Sequence, residues 1–256
     1  MAIKHSILWV LSGFMVIGLV ATAWADQPKM KMTTDIPPGI ATPDRLKTRL
    51  GTLNLFDGVP DEETAQKVYD NLDFQRGVQA YLNSIQIASM YGMRKGILGF
   101  GPANKTVLLF ENLMDSKALW LTPNTVSIYM AMWLEMKDEP MVIETPPNVL
   151  GIIDDHWFHY VTDFGNAGPD KGKGGKFLIL PPGYQGDVPD GYHVARTNTY
   201  GNWVIWRGFQ VDGSTAPAIE ATKKTFRVYP LSQSGNPPKI NFIDVSGVFH
   251  NTIHRM

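Results

Sequence analysis

From Val126 to Leu134 the chain sets Val126, Ile128, Met130, Met132 and Leu134 two residues apart. That is the period of a β-strand, in which alternate side chains share a face. The residues between them, Ser127, Tyr129, Ala131 and Trp133, are semi-polar or aromatic, so the second face should be covered too. A strand covered on both faces needs layers on either side of it. Val107 and Leu109 repeat the spacing, and residues 141–144, 149–162, 176–180, 192–197, 202–211, 225–231 and 240–245 offer further strands. Proline pairs at Pro146-Pro147, Pro181-Pro182 and Pro237-Pro238 punctuate the series. The pattern predicts a mainly β fold, an antiparallel β-sandwich preceded by an α-helical segment.

The helical part comes first. Pro60, followed by Asp61, Glu62 and Glu63, predicts a helix start, with proline at the first helical position and acids at the positive end of the dipole. Ala65, Val68, Tyr69 and Leu72 recur at helical spacing, and Val78, Tyr81, Leu82 and Ile85 continue after Asp73. The expectation is two short helices, or one kinked helix, ending near Gly92. A later segment through Ala218, Ala221 and Lys224 is predicted as a second helix that Ser214 can cap.

The ends speak to compartment. Lys4 and His5 precede an apolar run from Ile7 to Val20, and Ala23-Trp24-Ala25 stands before Asp26, the pattern of a secretory signal peptide over residues 1–25. An uncleaved membrane anchor is the rival reading. After cleavage no membrane span is expected, and the expected location is periplasmic or secreted. Cleavage would leave 231 of the 256 residues, divided into an N-terminal arm and helical segment over 26–105 and the β-sandwich with its inserted helix over 106–256. There is no cysteine, which excludes disulfides, thiolate catalysis and Cys-ligated metal. The 23 Lys and Arg nearly balance 24 Asp and Glu, so no global field favours nucleic acid.

One loop is unusual. Between Asp163 and Tyr184 it carries five glycines before the apolar run 177–180, with Lys171, Lys173 and Lys176 among them. It fails the phosphate-loop pattern, because Ala167 or Asp170 stands where the first glycine belongs and Phe177 follows Lys176. A non-nucleotide anion site on these lysines competes with a plain solvated loop. His156 and His159 form a His-x-x-His pair, yet an odd separation on a strand sends side chains to opposite faces, so no metal site is expected. Asp154, Asp155, Asp163 and Glu144 are the candidate acids for a carboxylate pair, with turn formation the plainer reading of Asp154 and Asp155. Among the aromatics Trp120, Trp133, Trp157, Trp203 and Trp206, the last two are three apart, so one should face the core and the other a surface or interface.

Several strings together resemble a known family. Tyr69-Asp70-x-Leu-Asp-Phe-x-Arg76, Gln79-Ala-Tyr-Leu82, Thr122-Pro-Asn-Thr125, Glu144-Thr-Pro-Pro147 and Asp154-Asp-x-Trp157 contribute. The most individual are Gly168-Pro-Asp-Lys-Gly172 and the run Gly174-Gly-Lys-Phe-Leu-Ile-Leu-Pro-Pro-Gly-Tyr184. These are similar to the bacterial domain-of-unknown-function family numbered 1254 (DUF1254). The resemblance implies an exported protein with an immunoglobulin-like β-sandwich and added helices, and no established activity. It also implies a following second β domain, the family numbered 1214 (DUF1214), which this chain lacks room for.

Function is expected to be a binding or assembly module of the cell envelope, with an envelope hydrolase acting on carbohydrate or lipid as the alternative. Asp155, Trp157, Lys171, Lys176 and Tyr184 are the candidate ligand-binding residues; catalytic residues are not assigned and no cofactor is expected. The apolar tail Phe242, Ile243, Val245, Val248, Phe249 and Ile253 is the candidate contact for a second copy or a partner protein, and an envelope-derived small molecule is the candidate ligand.

Overall fold

The computed structural model describes residues 37, 39–40, 42–120 and 123–251. The expected signal peptide and Ile253 at the end of the apolar tail lie outside the described residues. No described helix is long and apolar enough to cross a membrane. Contacts divide the chain into two units between Phe74 and Gln75.

In the first unit β1 (Arg45–Thr48), β2 (Gly51–Phe56) and β3 (Val59–Pro60) form an antiparallel meander. Phe56 pairs with Val59, which leaves Asp57 and Gly58 as a two-residue loop with φ of 48° and 81°. Both central residues are left-handed, as a type I′ hairpin demands. The chain then enters α1 (Glu62–Leu98), and Asp61, rather than Pro60, prepares its first turn. The Thr64 N–H donates to Asp61 Oδ1 at 2.7 Å, and Thr64 Oγ1 accepts from the Asn54 N–H at 2.9 Å, tying the helix start to β2. Hydrogen bonding from Thr64 holds the Asp61 carboxyl below its ordinary value.

One helix of 37 residues replaces the expected two short ones. No proline occurs between Pro60 and Pro102, so nothing removes a helix amide or clashes with a preceding carbonyl. Gly77 and Gly92 are both absorbed into the helix. Its middle, residues 73–86, is exposed throughout.

The second unit holds the sandwich. Strands β4 (Thr106–Leu109), β6 (Ile128–Glu135), β8 (Leu150–Asp155), β9 (Tyr160–Gly165), β12 (Gly201–Gly208) and β14 (Asn241–Asp244) make a six-stranded sheet ordered β14-β4-β6-β12-β8-β9. Strands β7 (Met141–Glu144), β10 (Lys176–Leu180), β11 (His193–Arg196) and β13 (Arg227–Pro230) make a four-stranded sheet ordered β11-β10-β7-β13. The two share one core, in which Met130, Met132 and Trp206 of the larger sheet meet Ile143, Phe177 and Val228 of the smaller. Ile219 of α2 (Ala216–Thr225) joins them. Ser214 reaches the amide of Ala216 at 3.3 Å, while Thr215 occupies the cap position.

From Ile128 to Leu134 the alternation is realised as expected, whereas Val126 lies before β6 and is exposed. Ile128, Met130, Met132 and Leu134 fill the core between the sheets, and Tyr129, Ala131 and Trp133 fill a second cluster on the outer face. That outer cluster is completed by Met90, Met93 and Ile97 from the last turns of α1.

The body is mainly β and sandwich-like, but its sheets are mixed rather than antiparallel throughout. β10 and β11 pair in parallel, as do β4 and β14. A parallel neighbour needs a long crossover, and the stretch 181–192, opened by Pro181-Pro182, supplies it for β11. The apolar tail docks as an edge strand: Phe242 and Ile243 are half-buried in β14, Val245 is buried, and β15 (His250–Asn251) pairs with β5 (Ala118–Leu119). Val248 and Phe249 stay exposed.

Candidate functional site

β12 sorts its aromatics by parity. Trp206 points to the core and stacks on Phe226 with ring centroids 4.3 Å apart, whereas Trp203, Ile205 and Arg207 belong to the outer side. Strand register then lays out that side in rows. Trp133, Trp203 and Asp154 are directly paired across β6, β12 and β8. The next row is Ala131, Ile205, Ile152 and Asp163, and the next Tyr129, Arg207 and Leu150. Over these rows lies a groove of about 510 Å³, walled by Trp120, Tyr129, Phe158 and Trp203, with Met93 from α1. Trp203 sits between Trp120 at 6.0 Å and Phe158 at 6.1 Å, the latter nearly parallel at 26°.

The groove's polar groups are few and poorly satisfied. Asp154 is 6% exposed, and its carboxylate has no hydrogen bond or ion pair among the described residues. Burial pushes the Asp154 carboxyl up to about 6, and repulsion from Asp155 and Asp163 adds to it. Trp203 Nε1 is buried without a partner among the described residues. Arg207 lies over the Tyr129 ring, 6.0 Å from its centroid. A buried polar atom without a partner costs on the order of 1–3 kcal/mol, so the face carries unspent capacity for polar contact. A hollow of about 780 Å³ also runs along the first turns of α1, past Asp61, Glu62, Gln66 and Asp70. All four are exposed acids or amides, Asp61 just before the helix and the others on it, with no converging wall to hold a ligand.

The five residues singled out from sequence take other places. Asp155, 1% exposed, builds the β8–β9 turn. Its Oδ1 accepts from the amides of Trp157 at 2.7 Å and His159 at 2.9 Å, and its Oδ2 lies 3.5 Å from His159 Nδ1. Trp157 rides that turn, half-exposed, beside Phe158 at φ 63°. Lys171 lies in the loop after β9, itself at φ 51°. That loop is held by Asp170 Oδ1 accepting from the Gly165 amide at 2.7 Å and by the Gly172 amide donating to the Gly165 carbonyl at 2.9 Å. Gly165 is required, since a Cβ there would sit 2.0 Å from the Val149 carbonyl oxygen.

Lys176 Nζ is 3.2 Å from Glu144 Oε1, and the Tyr184 hydroxyl donates to the Asp187 carbonyl at 3.1 Å. Asp155 closes one end of β8, whereas Gly165 pairs with Leu150 at the other, roughly 16 Å away at 3.3 Å per residue. Asp155 and Trp157 therefore do not converge with Lys171.

The expected strand over 149–162 is two strands, β8 and β9, joined by a turn at residues 156–159, so His156 and His159 part through that turn and not by strand alternation. The His156 ring meets Trp133 at 5.2 Å, and burial, aided by Arg94, holds it below its ordinary pKa. No three His, Cys, Asp or Glu residues gather for a metal among the described residues. What the fold does assemble, from the acids and aromatics noted in the sequence, is Asp154, Asp163, Trp120 and Trp203. Arg207, Tyr129 and Phe158 were not singled out as site residues. Arg207 shares the parity of Trp203, which was the available signal; Phe158 depends on the tight turn and had none.

Residues 104–230 match the model of a family described as "Protein of unknown function (DUF1254)". Among solved structures, the chain is similar to the VPA0106 protein from Vibrio parahaemolyticus, with 19% identity and a TM-score of 0.45, over 62% of this chain and 40% of that one. It is also similar to an uncharacterized protein from Burkholderia cenocepacia, with 9% identity and a TM-score of 0.28, over 60% of this chain and 43% of that one. The chain thus spans less than half the length of either. No curated protein matched.

Proposed function

Because this chain belongs through residues 104–230 to the DUF1254 family, whose description states no activity, we propose from its own site that it is a ligand-binding module. The outer groove of the six-stranded sheet takes a small molecule. The observation that carries this reading is the pairing of Asp154 with Trp203 across β8 and β12: the carboxylate of a residue only 6% exposed, with no hydrogen bond or ion pair among the described residues, and a buried indole N–H without a partner line one groove. Small-molecule sites combine apolar and aromatic walls with a few such groups. The Ala23-Trp24-Ala25 segment behind its apolar run supports export, so the module works in the periplasm or outside the cell and meets ligands of the envelope. The tail stays the candidate contact for a second copy or a partner protein, since β14 is an edge strand paired on one side only and Val248 and Phe249 are exposed.

Native mass spectrometry on the chain purified from its own host tests this. The reading expects a defined small-molecule mass that is lost in Trp203→Ala. A bare chain at every concentration, with Trp203→Ala indistinguishable, would count against it.

Asp154 also favours a second reading, an envelope hydrolase acting on carbohydrate or lipid. A carboxyl raised to about 6, with the Asp163 carboxylate in the same groove, is the kind of group that general acid–base chemistry uses. Turnover of an envelope glycan or lipid ester by the full chain, abolished in both Asp154→Asn and Asp163→Asn, distinguishes it. Binding without turnover leaves the module reading in place.

A further inference from the structure

The groove keeps its charges in two places. Asp154 and Asp163 stand on β8 and β9, while Arg207 stands on β12 in the row of Leu150. Between them lie the apolar Ile152 and Ile205. The faces of Trp203, Trp120 and Phe158 carry the negative side of the ring quadrupole and attract cations, as the carboxylates do. Ionising Asp154 in this setting is costly unless a positive charge arrives with the ligand. A neutral sugar could stack on the tryptophans but would leave that carboxylate uncompensated, and an anion would meet two acids.

Resting on the ligand-binding reading above, we propose that the groove takes a small organic ammonium ion, its positive head among Asp154, Asp163 and Trp203 and an anionic tail at Arg207. The other ionisable groups around Asp154 are Asp155 beside it, Tyr160 opposite it on β9 and Tyr129 on β6. His159 pairs with Asp155. From α1, Met93 brings no charge, and Arg94 is engaged with Glu135 at 3.5 Å.

Titration calorimetry on the full chain decides the matter, using glycine betaine, tetramethylammonium and a neutral methyl glucoside as probes. Betaine is expected to bind, and to bind about tenfold more weakly at about pH 5 than at about pH 8, because Asp154 gains its proton across that interval. Asp154→Asn should cost about tenfold at the higher pH and flatten the profile. Arg207→Met should weaken betaine and leave tetramethylammonium unchanged, which a merely structural role would not do. If the glucoside binds and neither ammonium does, the ammonium assignment is wrong while the groove remains a ligand site. If no probe binds and native mass spectrometry also finds the chain bare, both readings fall.

Discussion

The two faces of the six-stranded sheet put similar side chains to different uses. On the inner face Trp206 is fully buried, stacked at 4.3 Å on Phe226 and 6.1 Å from Phe164. Three residues back on β12, Trp203 shares the outer face with Trp120 and Phe158, beside a carboxylate rather than beneath a second sheet. The same contrast separates neighbours on β8. Asp155 has its carboxylate filled by two backbone amides, whereas Asp154 has nothing. A fold that satisfies one carboxylate fully and leaves its neighbour bare and buried has put stability on one side and unspent capacity on the other. Binding belongs where the capacity is left.

The largest expected effect breaks the inner face. Trp206→Ala should cost about 3–5 kcal/mol, since it empties a packed site that the second sheet cannot collapse into. Urea unfolding measures it, and a loss as small as that of an exposed aromatic would contradict the assignment of faces. Next comes the satisfied acid. Asp155→Ala takes the acceptor from the part-buried amides of Trp157 and His159, for about 2 kcal/mol, and the same melts read it.

Asp154 should behave in the opposite sense. Its carboxyl holds a proton more tightly in the folded chain, about 6 against the ordinary 3.8. Protonation therefore supports folding fully below about pH 4, and that support is lost as pH rises through 6. Asp154→Asn removes this dependence and should raise stability at pH 7 by on the order of 2 kcal/mol. Melts of both proteins at pH 4, 6 and 7 should diverge only at the upper end; a destabilised variant at pH 7 would mean Asp154 is satisfied after all. The smallest effect sharpens the contrast between loop and groove. Lys176→Ala breaks a largely exposed pair with Glu144 and should cost under about 1 kcal/mol, with no change in ligand affinity by calorimetry.

How far the sequence could be read follows the range of each interaction. The alternation of residues 126–134 reports burial one strand at a time, so both covered faces of β6 were visible, as was the division of labour between Trp203 and Trp206. The meander before the helix went unpredicted: Asp57-Gly58 supplies the two left-handed positions of a type I′ turn, but the short, mostly exposed strands around it show no clear alternation.

The single long helix was underestimated because Asp73, Gly77 and Gly92 weaken a helix without breaking it, whereas proline would. The groove was the least legible feature. It exists because β12 lies between β6 and β8, a strand order that local pattern does not encode, and that order is what brings Trp203 beside Asp154 and Arg207 beside Tyr129. The lysine loop drew notice through composition, yet its glycines serve backbone geometry at Gly165 and Gly172.

Ligand binding here turns on the unpaired carboxylate of Asp154, and carbon-13 NMR of that carboxyl, assigned by Asp154→Asn, measures it directly. The free chain should show an apparent pKa near 6 that falls toward the ordinary aspartate range when a quaternary ammonium ligand is added. A free-chain value already below 4, unmoved by such a ligand, would contradict it.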